Sequence, residues 1–399
     1  MEMILEFLRD ILSQPALLIG IMSCVGLIAL KRPFHKIMTG TLKPILGYLM
    51  LAAGAGVIVS NLDPLGKMIE HGFHITGVVP NNEAIVAVAQ KVLGVETMSI
   101  LVVGLLMNLL IARFTKFKYV FLTGHHSLFM ACLMSAVLGT AGLSGIELIL
   151  VGGFLMGAWS AISPAIGQSY TSKVTDGDEI ALGHFGSLGY YLSAWVAKYV
   201  GKAEESTEDI EIPEKWGFLR DSTLSTALTM IVFYLIAAIA AGSEFVSTLS
   251  GSMSPYLFAV MSAMNFAVGV AIVYSGVRMI LGDLIPAFQG IATKIIPNAI
   301  PAVDCAVFFT YAPTAVVLGF ISSFIGGIIG MLILGAVGGV LIIPGLVPHF
   351  FCGATAGIYG NATGGRRGAA VGAFLNGLAI TFLPAMALPV LGQLGFQNT

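Results

Sequence analysis

Long apolar runs separated by short polar breaks dominate the chain from end to end. The first half carries Pro15 to Leu30, Leu46 to Ser60, Met98 to Ile111, Phe121 to Leu138 and Leu148 to Ile166; the second carries Thr223 to Ala241, Tyr256 to Val277, Val303 to Ser322, Ile325 to Ile343 and Ala369 to Leu391. A helix needs about 20 apolar residues to cross the hydrocarbon core, so the pattern predicts roughly 10–11 transmembrane helices and an all-α polytopic membrane protein. Composition agrees: 57% of residues are hydrophobic and 10% charged, and the mean hydropathy of +0.93 excludes a soluble fold of this length.

The first run is preceded by Glu6, Arg9 and Asp10 and lacks a small-residue cleavage pattern, so it is expected to stay in the mature protein. Basic residues set the orientation. Lys31, Arg32 and Lys36 follow the first run, and Arg113, Lys116 and Lys118 follow the third, which places both connections inside and the N-terminus outside. The same count puts the one long polar stretch, Ser169 to Ser222, in the cytoplasm. Its acidic run of Glu204, Glu205, Glu208, Asp209, Glu211 and Glu214 reads as a solvated face, with a docking surface for a soluble partner as the sharper alternative. The Gly-rich region from Gly353 to Gly368 lacks the Gly-Lys-Ser/Thr ending of a nucleotide-binding loop. Cys24, Cys132, Cys305 and Cys352 stand singly in apolar stretches and read as packing residues. No metal, cofactor or nucleic acid is expected.

A faint repeat divides the chain into halves 37–168 and 272–395, joined by the polar stretch 169–222 and the helices of 223–271. Ile45-Leu46-Gly47-Tyr48-Leu49 resembles Ile280-Leu281-Gly282-Asp283-Leu284, and Gly124-His125-His126 ahead of Phe129 parallels Gly345 through His349-Phe350. Pro286, Pro297 and Pro301 in one place, and Pro344, Gly345 and Pro348 in another, predict interrupted helices or re-entrant hairpins. Broken backbone at membrane depth must be buried in protein or line an aqueous cavity.

Ionisable groups inside apolar segments are costly and therefore functional candidates. Asp304 is the sharpest, as an acceptor for two substrate hydroxyls; its bland reading is a buried pair with a basic residue such as Arg278. His125 and His126 cannot face the same way on a helix, so one reaches a cavity and the other is structural. His184 precedes Phe185-Gly186-Ser187, and Asn82-Glu83 after Pro80 line a re-entrant turn or sit at the surface. Asn108, Asn265 and Asn376 read as interhelical glue.

Several of these segments carry a resemblance. Leu122-Thr123-Gly124-His125, Val174-Thr175-Asp176-Gly177, Gly183-His184, the run from Glu204 to Asp209, and Asp304-Cys305-Ala306 together resemble the ascorbate-type IIC family of the bacterial phosphotransferase system, in matching order through almost the whole chain. The resemblance implies a multi-pass inner-membrane permease, not itself an enzyme, that works as a homodimer by elevator movement of a core domain against a scaffold domain. It also implies a separate cytoplasmic IIB component, charged by IIA, that phosphorylates the incoming solute from a phosphocysteine. The ligand positions it carries over by identity are His125, His184 and Asp304. At other ligand positions the chain departs: a Thr-Tyr pair falls on Asn82-Glu83, and two glutamines fall on Phe129 and Phe185, with His126 as a further candidate. These departures point from ascorbate towards a neutral polyol or pentose among the small sugars, sugar acids and polyols. Members of the family carry another hydrophobic segment beyond the one ending near Leu391, so this sequence is expected to be a C-terminally shortened form. The competing reading is a proton-coupled secondary transporter of a small polar solute, with Asp304 and a histidine as the relay.

Overall fold

In lipid every backbone N–H and C=O must be satisfied within the chain, so helices dominate the fold. The computed structural model describes residues 10–11, 14–74, 82–210 and 222–392. Its elements run α1 (Pro15–Ala29), α2 (Phe34–Gly72), α3 (Asn82–Phe114), β1 (Tyr119–Phe121), α4 (Gly124–Thr140), α5 (Gly145–Thr175), β2 (Ala181–Leu182) and α6 (Ser187–Val200). They continue with α7 (Ser222–Ala241), α8 (Ser243–Ser250), α9 (Pro255–Lys294), β3 (Ile300–Val303), a 3₁₀ helix (Cys305–Thr310), α10 (Pro313–Ala336) and α11 (Leu346–Gly392).

The apolar runs do not map one to one onto spans. Among the described residues six helices are long and apolar enough to cross a bilayer, or seven if Thr226–Ala241 and Ser243–Ser250, bent by 117°, form one span. The difference from the expected number has local causes. The run from Phe121 begins in a strand and continues into the 17-residue α4, and α1 has 15 residues; at 1.5 Å per residue neither covers a core about 30 Å thick. The gap between the runs ending at Ser322 and starting at Ile325 is not a break. α10 runs straight through it, because the Ser323 hydroxyl is buried and lies 2.9 Å from His349 Nδ1.

Helices pack closely here through small residues while many large apolar side chains face outward, an arrangement lipid favours. In α5, Gly152, Gly153 and Gly157 are buried against α3, while Ile146, Leu150 and Phe154 are exposed. α2 packs along α9 through two pairs of glycines. A Cβ on Gly47 would lie 2.9 Å from the Gly276 carbonyl oxygen, and one on Gly54 would lie 2.7 Å from that of Gly269. The two similar segments, 45–49 and 280–284, sit on these helices, with Lys43 Nζ 3.6 Å from Asp283 Oδ2. Their glycines do different work: Gly47 is a contact point, whereas a Cβ on Gly282 would meet nothing within 4 Å.

Within this helical body lies a parallel three-stranded sheet in the order β1-β3-β2, which the sequence reading did not contain. A sheet edge away from water needs partners. Asn108 of α3 closes the β1 edge: its Nδ2 donates to the Tyr119 carbonyl at 3.1 Å, and its Oδ1 accepts from the Phe121 N–H at 3.0 Å. Gln168 of α5 does the same near β2, donating to the Ile180 carbonyl at 3.2 Å. Asn108 therefore joins helix to strand rather than helix to helix, and Asn265 is exposed on α9.

The described part of the acidic run is neither a free face nor wholly open for docking. Glu208 accepts from the Thr314 and Ala315 N–H groups at 3.1 Å and so caps α10, whose own N-cap residue, Ala312, supplies no side chain for the purpose. The same segment is fastened to α11. Thr207 N–H donates to Asn361 Oδ1 at 2.8 Å, and Arg366 N–H donates to the Glu205 carbonyl at 2.8 Å where α11 breaks at Gly364 and Gly365. Glu211 and Glu214 lie outside the described residues.

Candidate functional site

The three strands end nearly level. Phe121 pairs with Ala302 and Leu182 with Val303, and the ladder closes with Leu122 N–H donating to the Ala302 carbonyl at 2.9 Å and Gly183 N–H to that of Val303 at 2.7 Å. Parallel strands present their following residues on one side of the sheet, where ligands of such sheets are ordinarily held. Here the following residues open α4, the His184 turn ahead of α6, and the 3₁₀ helix behind Asp304. Three chain segments widely separated in sequence thus converge on one place.

His126, His184 and Asp304 are 7%, 5% and 7% exposed. His126 Nε2 lies 3.9 Å from Asp304 Oδ2, and the His126 and His184 ring centroids are 4.0 Å apart. Asp304 Oδ1 accepts from the Ala306 N–H at 2.9 Å, so the carboxylate caps the helix it precedes. His184 Nδ1 accepts from the Gly186 N–H at 3.0 Å. Arg278, the cation considered for Asp304, is exposed on α9.

Phe129 and Phe185 border the same rings, at 6.0 and 5.8 Å from the His126 centroid. Phe185 also packs on a small core of Ile100, Leu101, Met130 and Met156. Of the two adjacent histidines, it is His126 that meets Asp304 and His184; the side chains of His125, Asn82 and Glu83 lie outside the described residues.

Other groups at the site are ones the sequence reading missed. Tyr190 of α6 is fully buried, with its hydroxyl 3.2 Å from His184 Nδ1 and 3.4 Å from Nε2. Tyr48 of α2 is buried within the field of Asp304 and Cys305. A polar hydroxyl in an apolar helix was the one local signal for either tyrosine. Cys305 and Cys352, read as packing residues, border the site as well. The assembled groups are a carboxylate, two imidazoles, two phenols and flanking phenyl rings, a set suited to hydroxyl groups on an otherwise apolar carbon frame.

The family described as EIIC-GAT, PTS system sugar-specific permease component, matches residues 10–399. A relative named ascorbate-specific PTS system EIIC component, from Mycoplasma pneumoniae, is 26% identical over 424 aligned positions that cover 91% of this chain and 63% of the relative. This chain therefore spans less than two thirds of that relative's length. With the family matched over nearly the whole sequence, the chain belongs to the EIIC-GAT sugar-specific permease components of the phosphotransferase system.

Proposed function

We propose that this chain takes up a small sugar, sugar acid or polyol and binds it beyond the ends of the three parallel strands. Family membership makes it a multi-pass protein of the bacterial inner membrane. The observation that carries the site is the convergence of His126, His184 and Asp304, all buried, from three separate segments. A carboxylate in such surroundings is expensive to bury, and a ligand hydroxyl that donates to it offsets that cost.

In this reading the chain is the permease and performs no chemistry of its own. A cytoplasmic IIB component, charged by IIA, phosphorylates the solute as it reaches the inner side. A homodimer in which a core domain moves as a rigid body against a scaffold is the working arrangement, supported by the resemblance to the ascorbate-type permeases. Uptake by membrane vesicles is expected to require phosphoenolpyruvate and the IIA and IIB proteins, and to deliver phosphorylated solute. The closeness of His126 to Asp304 favours one competing reading, a proton relay. Uptake driven by a proton gradient alone, with unmodified solute inside, would establish that reading instead.

The solute class follows from the rings around His126. An amide offers up to four hydrogen-bonding sites and a phenyl ring none, so Phe129 and Phe185 give the site apolar borders. Ligand hydroxyls left unpaired there cost on the order of 1–3 kcal/mol each. Although the Mycoplasma relative is named for ascorbate, a neutral pentitol or pentose is the better fit here. A thermal-shift panel of ascorbate, pentitols, pentoses and hexoses is expected to show the largest stabilisation with a neutral five-carbon ligand. Selective stabilisation by micromolar ascorbate would overturn this choice.

A further inference from the structure

The hydrogen bonds around His184 point to a single tautomer. A backbone N–H can only donate, so the 3.0 Å bond from Gly186 requires Nδ1 to offer its lone pair. The neutral ring then carries its proton on Nε2. This acceptor role is set by main-chain geometry rather than by a mobile side chain. Gly186 lies two residues beyond His184, in a turn where Ser187 N–H donates to the His184 carbonyl at 3.2 Å and Gly189 N–H to the Gly186 carbonyl at 3.1 Å.

Tyr190 supplies the second, independent observation. Its hydroxyl sits within reach of both ring nitrogens, at 3.2 Å from Nδ1 and 3.4 Å from Nε2. The hydroxyl is nearer to Nδ1 than to Nε2, and with Nδ1 fixed as the acceptor by Gly186 the phenol donates to that nitrogen rather than accepting from Nε2–H. On its other side the imidazole meets His126 at 4.0 Å, so the ring is held between two aromatic neighbours.

We infer that His184 works as the Nε2–H tautomer, a fixed hydrogen-bond donor beside the Asp304 acceptor, and that Tyr190 is the positioning residue that keeps its ring in that orientation. The inference rests on the reading of His126, His184 and Asp304 as the ligand site. It deepens that reading by assigning directions: a ligand oxygen accepts from His184, and a ligand hydroxyl donates to Asp304. One sugar or polyol hydroxyl can do both, and an ether or carbonyl oxygen can do only the first.

Nitrogen-15 NMR of the histidine-labelled protein in lipid bilayers tests this without any ligand. The chain has seven histidines, and the His184 signals are those missing from the spectrum of His184→Gln. The expected spectrum shows an unprotonated Nδ1 and a protonated Nε2 for His184. A protonated Nδ1 would overturn the tautomer, and the wild-type spectrum decides this by itself. Tyr190→Phe keeps the ring and its packing but removes the hydroxyl. It is expected to broaden or split the His184 signals as the ring gains a second orientation, while those of His349 stay in place. His184 signals identical to wild type in folded Tyr190→Phe protein would remove Tyr190 from the positioning role. Because the readout involves no solute, failure of the binding site as such would appear in affinity measurements and not here.

Discussion

Asp304→Asn is expected to lower ligand affinity about ten- to a hundredfold while leaving the protein folded, since a hydrogen bond to a charged acceptor is worth roughly 1.5–3 kcal/mol. The substitution separates charge from structure unusually well. Asp304 caps the 3₁₀ helix by accepting from the Ala306 N–H at 2.9 Å, and an asparagine carbonyl oxygen serves equally at an N-cap. What changes is the second oxygen, which faces His126 Nε2 at 3.9 Å and becomes a neutral amide that donates instead of accepting. Calorimetry on detergent-purified protein, with the ligand chosen from the thermal-shift panel, gives the comparison. Affinity equal to wild type would remove Asp304 from the site and leave it a helix cap alone.

Gly365→Ala is expected to produce the largest loss of stability of any single-methyl addition near the 201–210 segment. Gly365 has φ +59° and ψ −154°, a region that only glycine occupies without strain, and a residue forced there costs about 1–3 kcal/mol. The added Cβ would also stand 2.2 Å from the Lys202 carbonyl oxygen and 2.4 Å from that of Glu205. Neither oxygen can move aside freely, because the segment is tied by Arg366 N–H to Glu205 and by Thr207 N–H to Asn361, each at 2.8 Å. Displacing it would withdraw Glu208 from the start of α10. The expected outcome is a lower melting temperature together with faster proteolysis within 201–210. A melting temperature unchanged from wild type would show that the segment is not fastened to the α11 break in the way described.

Much of the architecture was legible because membrane insertion depends on quantities that add along the chain. Apolar runs, basic flanks and the cost of an isolated carboxylate are local properties, so the polytopic character and the candidacy of Asp304 and of one of His125 and His126 followed from residue order alone, whereas His184 entered through the family resemblance. The number of spans did not. An apolar run of some 20 residues is compatible with one membrane helix or with a short strand followed by a shorter helix, and nothing in the sequence from 119 to 140 separates the two. Strands as short as Ala181–Leu182 and Ile300–Val303 exist only because their partners arrive from elsewhere in the chain, and the amides of Asn108 and Gln168 then satisfy backbone groups that lipid would leave unpaired.

The same limit applied to the site. Helical periodicity places His125 and His126 on different faces, but which face meets Asp304 depends on how α4 leaves β1, and that is a property of the sheet. Tyr190 lies six positions beyond His184 and acquires its role through a turn that local propensity does not specify. Glu208 was one acidic residue among several until the fold brought α10, 106 residues away along the chain, within 3.1 Å of its carboxylate. The sequence by itself determined the solvent the chain lives in and the costly residues it places there, because burial energy is counted residue by residue. Only the tertiary structure decided which of those residues touch, because a hydrogen bond depends on directions and distances that no single segment contains.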